Sequence, residues 1–155
     1  SVKYFDELLH NALYTDSLDL IELPLMERLT VLILRSKVEP EQLKKMTGKQ
    51  LILYGVEEGL IADNVKALNI GNISVNGNTA KATILYRGNP TKMSFMLRKE
   101  NGTWKVDLIS ILNLAEGPLK ETVSETGMDE NKFLNLTLRM QLDDVPKDVW
   151  QPVGK

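Results

Sequence analysis

The chain has no cysteine among its 155 residues, which excludes disulfides, thiol catalysis and thiolate metal sites. It has one histidine, His10, so any site built on two imidazoles is excluded as well. Charge of a single sign is also missing. Nineteen basic and 21 acidic residues give a formal net charge of -2, far from the strongly basic field of a general nucleic-acid binder. Long apolar runs are absent too: the longest, Val31 to Leu34, is far too short to span a membrane. Residues 1–15 mix acids with a helical apolar period rather than a basic start and an apolar block, so no targeting segment is visible. This points to the cytoplasm; a signal segment removed ahead of Ser1 would instead imply a periplasmic protein or an envelope lipoprotein. Without repeats, low-complexity stretches or a linker, residues 1–155 are expected to form a single domain.

What is present is clearest in Met93 to Ser110. Two runs of period-two apolar spacing flank Asn101-Gly102, the strongest short-range signal for a two-residue hairpin loop. That register sets Glu100 opposite Thr103, Leu97 opposite Val106 and Phe95 opposite Leu108, with the strand running on through Leu112. One face then carries Met93, Phe95, Leu97, Trp104, Val106 and Leu108; a loop one residue longer would mix the faces. Asn76-Gly77 predicts a second hairpin between Leu68–Val75 and Thr79–Arg87, pairing Ile73 with Ala80. A four-residue loop, Gly88 to Thr91, pairs Ile84 with Phe95 and Ala82 with Leu97. The three loops agree on one antiparallel meander with a single buried face that includes Ala80, Ala82, Ile84 and Tyr86.

Helices precede the meander. Phe5, Leu8, Leu9, Ala12 and Leu13 fall on one face of a helix over residues 2–14, broken at Thr15-Asp16-Ser17. Pro24 suits a first helical position, with Leu25, Leu29, Leu32 and Ile33 as the buried stripe of a helix ending near Ser36. Pro40 opens a third helix through Met46, stopped at Thr47-Gly48, and residues 49–58 read as a fourth stopped by Gly59. Strand texture begins at Val65. Beyond the meander, residues 116–127 look irregular or weakly helical. Asp129 caps a last helix to about Leu142, and a Pro-flanked tail is expected to dock Trp150.

Helices followed by a meander ending in Phe95-Met96-Leu97-Arg98-Lys99-Glu100-Asn101-Gly102-Thr103-Trp104-Lys105-Val106 resemble the nuclear-transport-factor-2-like superfamily across nearly the whole chain. The resemblance implies an α+β cone: N-terminal helices packed in a strongly bent antiparallel sheet (cystatin-like), with a cavity at the wide end. Gly48-Lys49-Gln50-Leu51, Tyr54 to Ile61 and Trp150-Gln151-Pro152 are similar to bacterial immunity proteins of polymorphic toxin systems. That likeness implies a non-catalytic, soluble protein-binding domain that neutralises a cognate toxin. The alternative is a small-molecule enzyme or carrier using the cone, as in ketosteroid isomerases and polyketide cyclases. A third option is an envelope lipoprotein domain.

The residues favour binding over catalysis. The expected inner face is almost wholly apolar; Tyr86, with Tyr14 and Tyr54 from helices and Trp104, is its candidate cavity lining. Asp107 alternates with Val106 and Leu108, so a structural outward position is favoured over catalysis. His10 lies off the apolar helix face, four residues from Asp6 and Tyr14, as a surface histidine with a local partner. Asp143-Asp144 and Glu57-Glu58 diverge rather than converge on a metal, and no phosphate loop, zinc signature or nucleophile elbow is present. Asn-x-Ser/Thr sequons at Asn72, Asn101 and Asn135 carry no weight. No catalytic residue, metal or cofactor is therefore assigned. The outer sheet face instead aligns Lys81, Arg98 and Lys105 on three neighbouring strands beside Met96, Leu85 and Ile109. This is a candidate surface for a protein partner or for a homodimer.

Overall fold

The computed structural model describes residues 2–58 and 68–154. They form an α+β chain: α1 (Val2–Tyr14), α2 (Ser17–Leu20), α3 (Leu25–Lys37), α4 (Pro40–Leu43), α5 (Gly48–Glu57), β1 (Leu68–Asn76), β2 (Thr79–Tyr86), β3 (Asn89–Glu100), β4 (Thr103–Val106), α6 (Leu108–Thr126) and α7 (Glu130–Gln141). Two compact units are distinguished. Val2–Ile52 with Ala115–Lys155 is helical, and Leu53–Leu114 carries the sheet; the divisions fall inside α5 and α6. Gly59 and Val65, the expected helix stop and start of strand texture, lie outside the described residues.

In the helical unit, the α1 face expected from the sequence is buried residue for residue: Phe5, Leu8, Leu9, Ala12 and Leu13. It packs on α3 and α4, and α3 also packs on α7 through Leu134 and Leu138. The α3 helix is enclosed more fully than its predicted stripe allows. Val31 and Leu34 are buried beside Leu25, Leu29 and Leu32, while Ile33 is only half-buried. It also buries Arg28 and Arg35, which periodicity did not place inside.

Arg35 carries its charge into the core without an acidic partner among the described residues. Its guanidinium donates to the carbonyls of Asn11, Ala12 and Thr15 at the C-terminal end of α1 and to Val149 of the tail. Ala12 O is one of the acceptors that a helix end leaves open, Asn11 O also accepts from Thr15 N, and a cation there meets the negative end of the dipole. Burial lowers its pKa to about 10, which leaves it charged at neutral pH.

Two helix N-termini are capped from distant parts of the chain. Pro24 precedes α3 without a side-chain cap, and Glu116 of α6 supplies one: Leu25 N donates to Oε1 at 3.0 Å and Met26 N to Oε2 at 2.7 Å. At α5, Thr47 and Gln50 form a capping box, with Thr47 N donating to Gln50 Oε1 at 2.9 Å and Gln50 N to Thr47 Oγ1 at 3.3 Å. Gly48 N adds a bond to Asp6 Oδ1 of α1. A β-carbon at Gly48 would sit 2.4 Å from the Val2 carbonyl oxygen, so this approach of α5 to α1 requires glycine. Thr47-Gly48 therefore starts α5 rather than closing α4, which ends at Leu43 instead of Met46. The Asp16 carboxylate caps the short α2, accepting from Leu18 N and Asp19 N; here the sequence suggested only a break.

Burial pushes the Glu116 carboxyl up, but the Met26 and Leu25 amides and the Lys120 ammonium outweigh it and hold the group below its ordinary value. A depressed folded pKa gives a stabilisation that is complete above the unfolded value, about 4.3, and is lost as pH falls through the folded value. Glu116→Gln is therefore expected to cost about 1 kcal/mol at neutral pH and to flatten the acid limb of the stability profile. Thermal melts across pH 3–7 check it; an unchanged acid limb would show that the cap is not coupled to folding.

In the sheet unit the four strands form one open antiparallel meander in the order β1-β2-β3-β4. The last hairpin keeps its expected register, with Leu97 opposite Val106 and Glu100 opposite Thr103; Asn101 and Gly102 both take positive φ, as a type I′ turn requires. The other two loops are tighter than the sequence suggested. The first turn is Gly77-Asn78, so Ile73 faces Ala82 rather than Ala80. The second is Arg87-Gly88, also with two positive φ values, so Phe95 faces Ala82 and Leu97 faces Ala80. Both corrections shift the register by two, which preserves the faces. The surplus residues of β3 are taken up in an irregularity opposite Ile84, where Thr91 Oγ1 donates to the Ile84 carbonyl at 2.8 Å. In β1, Gly71 and Asn72 together oppose Thr83, a bulge that returns Ile70 and Ile73 to the same face.

The expected continuation of β4 through Leu112 does not form. Asp107 N closes the ladder on Met96 O at 2.8 Å, its carboxylate accepts from Ile109 N at 3.1 Å, and the chain enters α6. Phe95 thus has no strand partner at Leu108, and residues 116–127, expected to be irregular or weakly helical, complete this 19-residue helix to Thr126. At α7 the expected cap forms, the Asp129 carboxylate accepting from Asn131 N and Lys132 N, while Leu136 and Met140 on that helix are exposed. Trp150 docks with its indole N–H donating to Asn135 Oδ1 at 2.8 Å, and Val149 beside it is buried.

Candidate functional site

Among the described residues, the titratable groups do not gather into catalytic machinery. His10 is exposed, its ring 5.1 Å from that of Tyr14. Asp107 is a helix-capping residue at the β4–α6 junction, bonded to Ile109 N, while its carbonyl accepts from Ser110 Oγ at 2.7 Å. No group of three or more His, Asp or Glu side chains is disposed to hold a metal ion among the described residues.

The candidate cavity lining is dispersed. Tyr14, on α1 of the helical unit, is exposed. In the sheet unit, Tyr54 lies half-buried on α5, its phenol raised by burial and by the Glu58 carboxylate. Tyr86 is exposed at the end of β2, with the Arg87 guanidinium 5.3 Å from its ring centroid. Trp104 is exposed on β4 under the Lys99 ammonium, 5.8 Å from its centroid. Two shallow clefts, of about 360 and 350 Å³, are lined by other residues. The first, in the helical unit, runs past Leu23, Pro24 and buried Arg28, whose Nη1 meets Glu130 at 3.0 Å and Asn131 at 2.8 Å.

The basic row is redistributed by the register. Arg98 faces Lys105 as expected, but Lys81 faces Met96, two residues along. Lys105 is held by Glu100 at 2.9 Å, and the hydrogen bond and charge of Lys105 keep the Glu100 carboxyl below its ordinary range. Ile109 belongs to α6 rather than the sheet, and Leu85 lies against the backbone of Gly71, where a β-carbon would force its side chain to shift. Of the expected set, Lys81 and Met96 line the second cleft, with Lys92, Ser94 and Ser110, Asn113 and Leu114 of α6.

A different surface emerges on the apolar face of the same sheet. Its centre, Ala80, Ala82 and Ile84 of β2, is buried, and Phe95 and Leu97 of β3 are half-buried. At the β1 flank, Ile70, Ile73 and Val75 are 58%, 59% and 63% exposed, and Val106 of β4 is also exposed. The β1 strand, Leu-Asn-Ile-Gly-Asn-Ile-Ser-Val-Asn, carries no charge and, among the described residues, pairs only with β2. Sequence reasoning missed it because period-two spacing identifies the apolar face but not which strand of that face lies at the rim. The absence of any charge over nine strand residues was the available signal.

No family model, curated protein or solved structure matches the chain. The fold and surface together define an α+β chain with an open antiparallel meander, one flank of which is aliphatic and, among the described residues, unpaired.

Proposed function

We propose that this is a non-catalytic protein-binding domain whose binding element is the sheet. The observation that carries the reading is the β1 flank: three aliphatic side chains, each more than half exposed, side by side on an uncharged edge strand. Contiguous apolar exposure of this kind marks association surfaces, because water contact there is unfavourable and a partner removes it. The helix-first order and the terminal hairpin support kinship with the nuclear-transport-factor-2-like superfamily, with its bent, cone-forming sheet as the finer part of the same proposal. The immunity-type likeness supports a bacterial toxin as a heterologous partner. The exposed cations Lys81 and Arg98 on the opposite face suit the acidic surface of such a partner and would speed its encounter.

The test is affinity for the product of the adjacent gene, together with self-association, measured for wild type, Ile73→Lys and Arg98→Glu at two salt concentrations. Ile73→Lys is expected to weaken association by about 2 kcal/mol or more at either salt, as loss of an apolar anchor does. Arg98→Glu should weaken a heterologous complex mainly at low salt. If neither variant changes any association while both fold normally, the sheet is not the binding element.

A further inference from the structure

The partner that fits the β1 edge is a second copy of the same strand. This rests on the protein-binding reading above and names the occupant of its site. An edge strand leaves every second N–H and C=O of its backbone without a ladder partner. The two edges of this sheet are unlike. The β4 edge is four residues long and carries Lys105, which blunts it. The β1 edge is nine residues long, without proline or charge, and its C-terminal part runs from the bulge residue Asn72 through the regularly paired Ile73 to Asn76.

That stretch reads Asn72-Ile73-Ser74-Val75-Asn76, a palindrome in residue class about Ser74. In an antiparallel pair of identical strands related by a two-fold axis at Ser74, each residue meets its class. Ile73 lies opposite Val75 of the other copy, Ser74 opposite Ser74, and Asn72 opposite Asn76. The observed register fixes the faces: Ile73 and Val75 align with Ala82 and Ala80, and Ser74 aligns with Lys81 on the other side. Pairing about Ser74 therefore joins the exposed apolar flanks of two sheets into one face, with cross-strand β-branched pairs in its middle. A two-fold interface must be complementary to itself, and an uncharged palindromic strand satisfies this without setting like charges across the axis. We propose that the chain forms a two-fold dimer by antiparallel β1–β1 pairing centred on Ser74, continuing the four-stranded sheet into eight strands.

The absence of cysteine supplies a register-specific test on the full chain. Residues directly opposite in an antiparallel pair lie about 4.5–5.5 Å apart at Cα, within the roughly 4.4–6.8 Å that a disulfide spans. Ser74→Cys is therefore expected to cross-link into a dimer under mild oxidation. Asn69→Cys, exposed on the same strand but away from the axis, should remain monomeric on a denaturing gel. Ser74→Lys sets two ammonium groups against each other across the axis and should weaken dimerisation roughly tenfold or more by sedimentation equilibrium. Thermal melts of all three variants establish that they fold. A wild type that sediments as a monomer over a wide concentration range overturns the proposal, as does equal cross-linking at positions 74 and 69. A monomeric wild type that still captures the adjacent gene's product, with capture lost in Ile73→Lys, overturns the self-pairing while leaving the protein-binding reading in place.

Discussion

Arg35→Leu is expected to destabilise the helical unit by about 3–5 kcal/mol, lowering the melting temperature by roughly 6–20 °C. The side chain is 5% exposed and supplies donors to four carbonyls, three at the end of α1 and one in the tail. Leucine fills much of the volume but withdraws the guanidinium from all four, of which Asn11 O keeps its bond from Thr15 N, and a buried group that loses its partner carries its desolvation cost uncompensated. Arg35→Lys separates charge from geometry. It keeps the cation near the negative end of α1 but replaces a planar fork with a single ammonium that cannot reach the same four oxygens, so about half the loss is expected to remain. Thermal and urea unfolding of the three proteins decides the matter. A lysine variant as stable as wild type would mean that the charge alone matters and the fork does not.

Removing the tail after Asp144 is expected to cost about 4 kcal/mol. The buried Val149 side chain contributes about 1.5–3 kcal/mol, and the Trp150–Asn135 bond and the half-buried indole add about 1–2 kcal/mol. Gly154 N also donates to the Leu13 carbonyl at 2.7 Å, closing the tail over the end of α1. Because Arg35 Nη1 bonds the Val149 carbonyl, the two predictions are coupled. Arg35→Leu should cost about 1 kcal/mol less in the truncated chain than in the full one. Additive losses would show that Arg35 acts through α1 alone. Unchanged stability with lost partner binding would make the tail an interaction segment instead of a structural one.

How the sheet pairs and how α6 begins show the reach of sequence reasoning. Turn chemistry located all three hairpins, because Gly and Asn tolerate positive φ that other residues resist. It did not place Gly77 first in its turn or choose Arg87-Gly88 over a longer loop, since bulges absorb surplus residues at little cost and conceal the register from a count of residues. Leu108 to Leu112 read as strand because a short apolar run satisfies either period. The Asp107 cap and the rest of α6 decide for helix. The outer basic row keeps its face but loses the alignment of Lys81 with Arg98 for the same reason: a two-residue shift keeps a side chain on its face while changing its neighbour.

By itself the sequence determined the face of α1, the Asp129 cap, the docking of Trp150, the terminal hairpin and the α+β class, all of which depend on neighbours close along the chain. Only the tertiary structure decided that Arg35 is buried against the end of α1, that Glu116 caps a helix some ninety residues away, and that β1 is a rim strand with its aliphatic side chains exposed. Burial and capping across the chain depend on which elements come to lie together. A local pattern specifies the face that an element presents but not what, if anything, covers it.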